Sequence, residues 1–199
     1  MALARGFPDP VHDSQGVFRT VMDAFARPCL LRSLVSDLTP PAPLTPELAA
    51  IVLTLADADT PLWLDASLSR VPEIAEFLRF HTGAPIVAAP AGAAFALIAD
   101  PRCCPPFRDF AQGTPDYPDA SATLVLAVDR LSGEGGLGFE GPGIRGRAHL
   151  DAAPLPADWA ERLQSNHAGF PQGVDLLFVA PGLVAGLPRS ARLLMMAEA

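Results

Sequence analysis

The stretch ATLVLAV at residues 122–128 carries no charge and no regular alternation of polar and apolar side chains. A second run of the same kind, AFALIA, occupies residues 94–99. Such runs are typical of strands that helices cover on both faces, because neither face then meets water. The two runs predict the centre of a layered α/β core.

Four amphipathic helices are predicted around these strands. In the first, Asp13 or Ser14 is the expected N-cap, and in the third His81 lies on the apolar face. The helices are expected at residues 13–26, at residues 46–57, from Pro72 onward and at residues 155–168.

A β-hairpin is predicted near the end of the sequence, where apolar runs at residues 174–180 and 183–187 flank Pro181-Gly182. A further short strand is predicted at residues 60–64. With 199 residues, of which 50% are hydrophobic, the chain is expected to form one domain.

The chain carries excess negative charge, with a formal net charge of −8 at pH 7 and a pI near 4.8. A field of this sign repels nucleic-acid phosphates and anionic lipids, so neither is an expected partner. All 14 basic residues are arginines. A pyridoxal-phosphate enzyme needs a lysine for its Schiff base, and a P-loop needs one for its phosphates. The sequence therefore excludes both classes and predicts no cofactor.

The cysteines, Cys29, Cys103 and Cys104, form neither an even disulfide framework nor a CxxC spacing. This favours a reducing compartment and disfavours a zinc or iron–sulfur site, so no metal is expected. The N-terminus MALARGFPDP lacks the apolar run of a signal peptide, and no segment is long and apolar enough to span a membrane. A cytoplasmic location is expected.

A glycine-rich run, GEGGLG at residues 133–138, matches the G-x-G-x-x-G pattern of dinucleotide-binding sites and follows an apolar run. The next residues, FEGPG at 139–143, cannot open the helix whose N-terminus would face a pyrophosphate. A hairpin turn is therefore predicted in place of a cofactor site.

Asp57 and Asp59 lie between a predicted helix and a predicted strand, where carboxylates can bind a metal or act as acid and base. Aspartates at such positions more often bond nearby backbone groups in a turn. A histidine on an apolar helix face, such as His81, is more often a hydrogen-bonded core residue than a catalytic one. The residues alone leave both interpretations open.

Arg145, Arg147 and His149 alternate with less polar residues, so their side chains would share one face of a strand. Such a cationic face is a candidate site for a phosphate, a phosphonate or a partner carboxylate. An ordinary solvated sheet face has the same pattern and is the more common explanation.

Seven separate segments resemble one family, the H subunit of the bacterial carbon–phosphorus lyase system for phosphonate breakdown. In chain order they are FRTVMDAFARP (18–28), LTLADADTPLWL (53–64), LRFHTGAP (78–85), GTPDYPDASATL (113–124), GPGI (141–144), FPQGVDL (170–176) and LPRS (187–190). Cys29 stands where this family pattern has a small residue, usually glycine, and Arg145, Arg147 and His149 lie outside the pattern.

The resemblance implies a three-layer α/β/α sandwich similar to the pyridoxal-phosphate-dependent transferases but without their cofactor, and a homodimer that joins other core subunits. The assembly it implies displaces adenine from a nucleoside triphosphate and attaches an alkylphosphonate to ribose C1. A radical iron–sulfur subunit later breaks the carbon–phosphorus bond, and this chain lacks the cysteine cluster for that step. An accessory, non-catalytic role is expected.

Segments 53–64 and 80–85 both carry the family pattern, and together they predict a functional surface. Its candidate residues are Asp57, Asp59, Thr60, His81 and Thr82. The competing hypothesis is a free-standing small-molecule enzyme that uses Asp57, Asp59 and His81 in one cleft. Purification separates the two, because a subunit travels with partners whereas an enzyme turns over substrate alone.

Overall fold

The computed structural model describes residues 3–194. The helices are α1 (Pro10–Ala26), α2 (Pro46–Leu55), α3 (Ala66–Ser69), α4 (Pro72–Thr82) and α5 (Trp159–Ala168). The strands are β1 (Arg32–Ser33), β2 (Leu62–Leu64), β3 (Phe95–Ile98), β4 (Thr123–Ala127), β5 (Arg130–Glu140), β6 (Ala148–Ala153), β7 (Asp175–Ala180), β8 (Leu183–Leu187) and β9 (Arg192–Leu193). The N-terminal segment that was predicted not to be a signal peptide begins with Met1 and Ala2, and these two residues lie outside the described ones.

Helix α1 begins at Pro10, earlier than the predicted residue 13. Its N-cap is Asp9, whose carboxylate accepts two backbone N–H bonds at 3.1 and 3.2 Å, so the prediction of Asp13 or Ser14 is wrong. Asp9-Pro10 is the stronger start, because proline suits the first helical position and has no N–H to satisfy there. Asp13 instead lies in the first turn and accepts from the Asp9 N–H at 3.0 Å.

The predicted helices at 46–57 and from Pro72 are present as α2 and α4. Thr45 caps α2 by accepting the Leu48 N–H at 3.2 Å. Helix α4 ends at Gly83, whose φ of 74° is a left-handed conformation that glycine adopts without strain. No helix within residues 3–194 has the length and apolar character needed to cross a bilayer.

Helix α5 is shorter than the predicted 155–168, since it begins at Trp159. Pro156 accounts for Leu155, because a proline disfavours the helical conformation of the residue before it. Residues 156–158 form a turn in which the Trp159 N–H donates to the Pro156 carbonyl at 3.2 Å. At the start of this helix Asp158 and Arg162 form an ion pair, with 2.9 Å between Oδ1 and Nε.

The main sheet has six strands in the order β1-β8-β7-β4-β3-β2. Strands β2, β3, β4 and β7 are parallel, and β8 and β1 continue the sheet in antiparallel pairs beside β7. The apolar runs at residues 94–99 and 122–128 form the neighbouring parallel strands β3 and β4, and the predicted hairpin is β7–β8.

The two faces of the main sheet are buried against different layers. On one face Leu97 and Val125 pack with α1, α2 and α4. On the other face Ile98 and Leu124 pack with α5 and with a three-stranded antiparallel sheet in the order β6-β5-β9. The expectation that helices alone cover both faces is therefore wrong. An apolar strand sequence predicts that the strand is buried, but it does not predict whether helices or a second sheet cover it.

The GEGGLG run at residues 133–138 lies inside β5, so the predicted hairpin turn is also wrong. The pairing of β5 with β6 shifts register between Ser132 and Leu137. Gly135 and Gly136 have φ of 74° and 65°, and a Cβ on Gly136 would lie 2.5 Å from a backbone oxygen of β6. These glycines form a β-bulge, which needs left-handed residues and close backbone approach.

Candidate functional site

The four parallel strands begin side by side at one end of the main sheet. Leu62 of β2 is paired with Phe95 of β3, and Thr123 of β4 with Asp175 of β7. Strand β8 is antiparallel to β7, so its last residue, Leu187, lies at the same end. We call this end the amino edge; it consists of residues 57–61, 80–85, 89–94, 111–122, 169–174 and 188–189. Five of the seven family-like segments lead into it.

Asp57 closes a tight turn at the amino edge. Its Oδ1 accepts the Thr60 hydroxyl at 2.6 Å and the Asp59 N–H at 3.0 Å. These bonds favour the ionised form, first through the Thr60 hydroxyl and then through the backbone N–H, and they lower the pKa of Asp57 below its ordinary value. Asp59 takes part through its backbone. This geometry matches the more common interpretation of the segment, in which the aspartate side chain bonds nearby groups within a turn.

His81 and Thr82 lie at the end of α4. His81 Nε2 lies 3.0 Å from the Ala4 carbonyl oxygen, and the imidazole ring contacts Phe77 edge-on with a centroid distance of 4.7 Å. The Thr82 hydroxyl donates to the Leu78 carbonyl at 2.7 Å. His81 thus joins the N-terminal segment to α4, as a partly buried, hydrogen-bonded histidine.

The structure brings the segments 53–64 and 80–85 together. The Leu62 N–H donates to the Pro85 carbonyl at 2.8 Å, and a Cβ on Gly83 would lie 3.5 Å from the Ala58 side chain. The polar side chains of the two segments bond different partners. The Asp57 carboxylate bonds within its own turn, and the His81 ring bonds the N-terminal segment.

Replacing Asp57 with alanine is expected to lower the melting temperature by a few degrees at neutral pH, because the turn loses two hydrogen bonds. A carboxyl whose pKa is lowered by folding stabilises the protein above its unfolded pKa and loses this effect as the pH falls through the folded pKa. The difference from wild type should therefore shrink below about pH 4. Asp59→Ala is the matched control, and an equal, pH-independent loss in both variants would contradict the assignment.

Arg189 joins three parts of the amino edge, and sequence reasoning missed it. Its Nη1 donates to the carbonyls of Pro118 at 2.6 Å and Gly173 at 3.1 Å, and its Nη2 bonds Asp175 Oδ2 at 2.8 Å. The Arg189 N–H also donates to Asp175 Oδ1 at 2.8 Å. A usable signal existed, since the predicted hairpin places Asp175 and Arg189 near each other at its open end.

A hollow of about 270 Å³ lies in the middle of the amino edge. Its lining is mostly alanine and backbone, with Asp119 and Ser121 as the polar side chains. A larger cleft, about 460 Å³, lies elsewhere, between the start of α1 and residues 33–37. Among the residues that the structure describes, no group of three or more His, Cys, Asp or Glu side chains could hold a metal ion.

Asp65 is a buried carboxylate at the opposite end of β2, also missed by sequence reasoning. It is 2% exposed and accepts four hydrogen bonds. The donors are the Ser67 hydroxyl at 2.8 Å and the backbone N–H groups of Leu68 at 2.9 Å, Ala99 at 2.8 Å and Asp100 at 2.8 Å. It caps α3 and ties the end of β2 to the loop after β3. An aspartate directly after a predicted strand was the available signal.

Arg145 and Arg147 lie in the loop before β6, and only His149 belongs to the strand. The predicted alternation of all three on one strand face is therefore wrong. Gly146 lies between the arginines with φ of 70°, a left-handed conformation that breaks an extended strand. All three side chains are exposed, and an anion site formed by them stays a prediction.

Cys29 has φ of 66°, in the left-handed region that favours glycine. This explains why the family pattern has a small residue, usually glycine, at this position. Burial raises the pKa of the Cys29 thiol to about 12, and burial likewise raises the pKa of Cys104 to about 12. Both are therefore uncharged thiols at neutral pH, while Cys103 is exposed.

The comparisons with known proteins agree with one another. The family model of the bacterial phosphonate metabolism protein PhnH matches residues 5–194. The alpha-D-ribose 1-methylphosphonate 5-triphosphate synthase subunit PhnH of Rhizobium meliloti (strain 1021) is 40% identical over 187 residues, or 94% of this chain and 93% of the relative. The putative C-P lyase subunit protein HtxG of Stutzerimonas stutzeri is 33% identical over 81 residues, or 41% of this chain and 42% of the relative. This chain therefore belongs to the PhnH family of bacterial phosphonate metabolism proteins.

Proposed function

We propose that this chain is an accessory, non-catalytic subunit of the bacterial carbon–phosphorus lyase system. It supports the transfer of an alkylphosphonate to ribose C1 of a nucleoside triphosphate, with release of adenine. The observation that carries the proposal is 40% identity, across 94% of the chain, to a protein named as a subunit of the ribose 1-methylphosphonate 5-triphosphate synthase. The other subunits of that assembly are the expected partners.

The bonding of the candidate side chains supports an accessory role. A catalytic acid or base must exchange a proton with a substrate at hydrogen-bond distance. Asp57 is instead bonded within its turn, His81 bonds the Ala4 carbonyl, and Arg189 is paired with Asp175. These groups stabilise the amino edge, which favours a binding surface over a free-standing enzyme that uses Asp57, Asp59 and His81.

The proposal extends to assembly, location and fold relationship. The chain forms a homodimer in the cytoplasm, and its fold is related to that of the pyridoxal-phosphate-dependent transferases without binding their cofactor. The absence of lysine from all 199 residues supports the lack of this cofactor, because pyridoxal phosphate forms a Schiff base with a lysine. Val11, Phe18 and Met22 on α1 are 60%, 49% and 49% exposed, and exposed apolar side chains of this kind support a protein interface.

Reconstitution tests the accessory role. The purified chain incubated with nucleoside triphosphate and methylphosphonate is expected to release no adenine. The complete set of synthase subunits should release it, and should lose this activity when the chain is omitted. Adenine release by the chain alone would show a catalytic site here, and full activity of the set without the chain would remove its subunit role. A mass near 20.9 kDa by light scattering would contradict the homodimer.

A further inference from the structure

Two aromatic side chains at the amino edge are largely exposed. Tyr117 is 68% exposed and Phe170 is 56% exposed. They lie in two loops, residues 113–119 and residues 170–174, which we call the aromatic platform. Aromatic side chains bury a large apolar area at low entropic cost, so exposed ones are frequent anchors of protein interfaces.

The two loops of the platform are fixed to each other before any partner arrives. A single guanidinium nitrogen, Arg189 Nη1, donates to Pro118 in one loop and to Gly173 in the other. The Gln172 side chain donates to the Gly113 carbonyl at 3.0 Å, which makes a second bridge between the loops. Because little conformational freedom remains to be lost, binding through this platform costs less entropy than binding through mobile loops.

The first loop is itself closed by local bonds. The Thr114 N–H donates to the Tyr117 carbonyl at 3.0 Å, and the Tyr117 N–H donates to the Thr114 hydroxyl at 3.0 Å. Gly113 has φ of 72°, and a Cβ there would lie 2.7 Å from the Pro118 carbonyl oxygen. The loop thus holds the Tyr117 backbone in one position while its ring faces solvent.

The charge around Tyr117 is negative. Asp116 and Asp119 are exposed on either side of it, and neither takes part in an ion pair within residues 3–194. The positive charge of Arg189 is balanced by Asp175 at 2.8 Å. A second copy of the chain would bring the same negative charges against this surface, which disfavours self-association here. A basic partner is complementary.

From these features we propose that the aromatic platform is the docking surface for a basic face of another synthase subunit. Tyr117 and Phe170 insert into an apolar part of that face, and an arginine or lysine of the partner enters the hollow of about 270 Å³ lined by Asp119. This inference rests on the proposed function, since it assigns the surface through which the accessory subunit joins its assembly.

The test measures the affinity of the purified chain for the co-expressed remaining synthase subunits. The double variant Tyr117→Ala, Phe170→Ala should bind roughly 100-fold more weakly than wild type, because interface aromatics of this kind each contribute about tenfold or more. Its melting temperature should match wild type, since both side chains are exposed. Asp116→Asn combined with Asp119→Asn should slow association and flatten its dependence on salt.

A matched control truncates two exposed apolar side chains outside the platform and outside α1, Leu30→Ala and Val35→Ala, which are 49% and 76% exposed. This control should bind the other subunits as wild type does. Wild-type affinity in the Tyr117, Phe170 variant, or an equal loss in the control, would overturn the platform while leaving the proposed function intact. Failure of the wild-type chain itself to bind these subunits would overturn the proposed function, and the platform with it.

Discussion

Replacing Asp65 with alanine is expected to lower the free energy of unfolding by about 4 kcal/mol, because each buried donor left without a partner costs about 1–3 kcal/mol. The carboxylate is 2% exposed and bonds the backbone N–H groups of Leu68, Ala99 and Asp100. Alanine removes the acceptor for all three, and the bond lost at Leu68 is the cap of α3. Urea unfolding, followed by the fluorescence of Trp63 and Trp159, measures the effect.

The isosteric variant Asp65→Asn separates shape from hydrogen bonding. Asparagine keeps one acceptor oxygen, but its NH₂ group then faces N–H donors, so an intermediate loss of about 2 kcal/mol is expected. Ser67→Ala removes one bond at the rim of this cluster and should cost less than about 1 kcal/mol. An Asp65→Ala variant as stable as Ser67→Ala would show that the buried carboxylate does not hold the ends of β2 and β3 together.

Replacing Arg189 with alanine should destabilise the protein by about 3 kcal/mol, since removal of one partner leaves a poorly hydrated carboxylate and several unpaired carbonyls. The side chains of Arg189 and Asp175 are 15% and 20% exposed. Arg189→Lys should recover little of the loss, because one ammonium cannot reproduce the planar fork that reaches Pro118, Gly173 and Asp175 together.

An exposed pair supplies the control for Arg189. Arg102 bonds Asp100 with 2.8 Å between Nε and Oδ1, but its side chain is 69% exposed. Exposed ion pairs contribute little, because water solvates both charges well when they separate. Arg102→Ala should therefore leave the urea midpoint unchanged. An Arg189→Ala variant with the same midpoint as Arg102→Ala would contradict the central role of Arg189 in the amino edge.

Elements with local signals could be predicted from the sequence. Thr45-Pro46 placed the start of α2 correctly, because the cap and the proline act within one turn. The hairpin of β7 and β8 was likewise defined by two apolar runs and a short turn. The start of α1 was missed although Asp9-Pro10 is a local signal of the same kind as Thr45-Pro46.

The site residues depended on contacts that the sequence does not display. Asp65 bonds residues beyond β3, and Arg189 bonds Pro118, which is far away in the chain. The glycine run at 133–138 shows a different difficulty. A β-bulge and a phosphate-binding turn both need left-handed backbone and close approach, so the same residues fit either until pairing partners are known.

Strand β1 has its sheet partner at the other end of the chain, and this imposes an order on folding during synthesis. Arg32 pairs with Val184, and Gly186 packs so closely on α1 that a Cβ there would lie 2.7 Å from the Ala24 carbonyl oxygen. At about 5–20 residues per second, a ribosome needs roughly 8–30 s to make the chain between these partners. During that interval α1 and β1 have been synthesised, but β8 has not. The six-stranded sheet can therefore be completed only after most of the protein has emerged, and until then β1 lacks the strand with which it pairs.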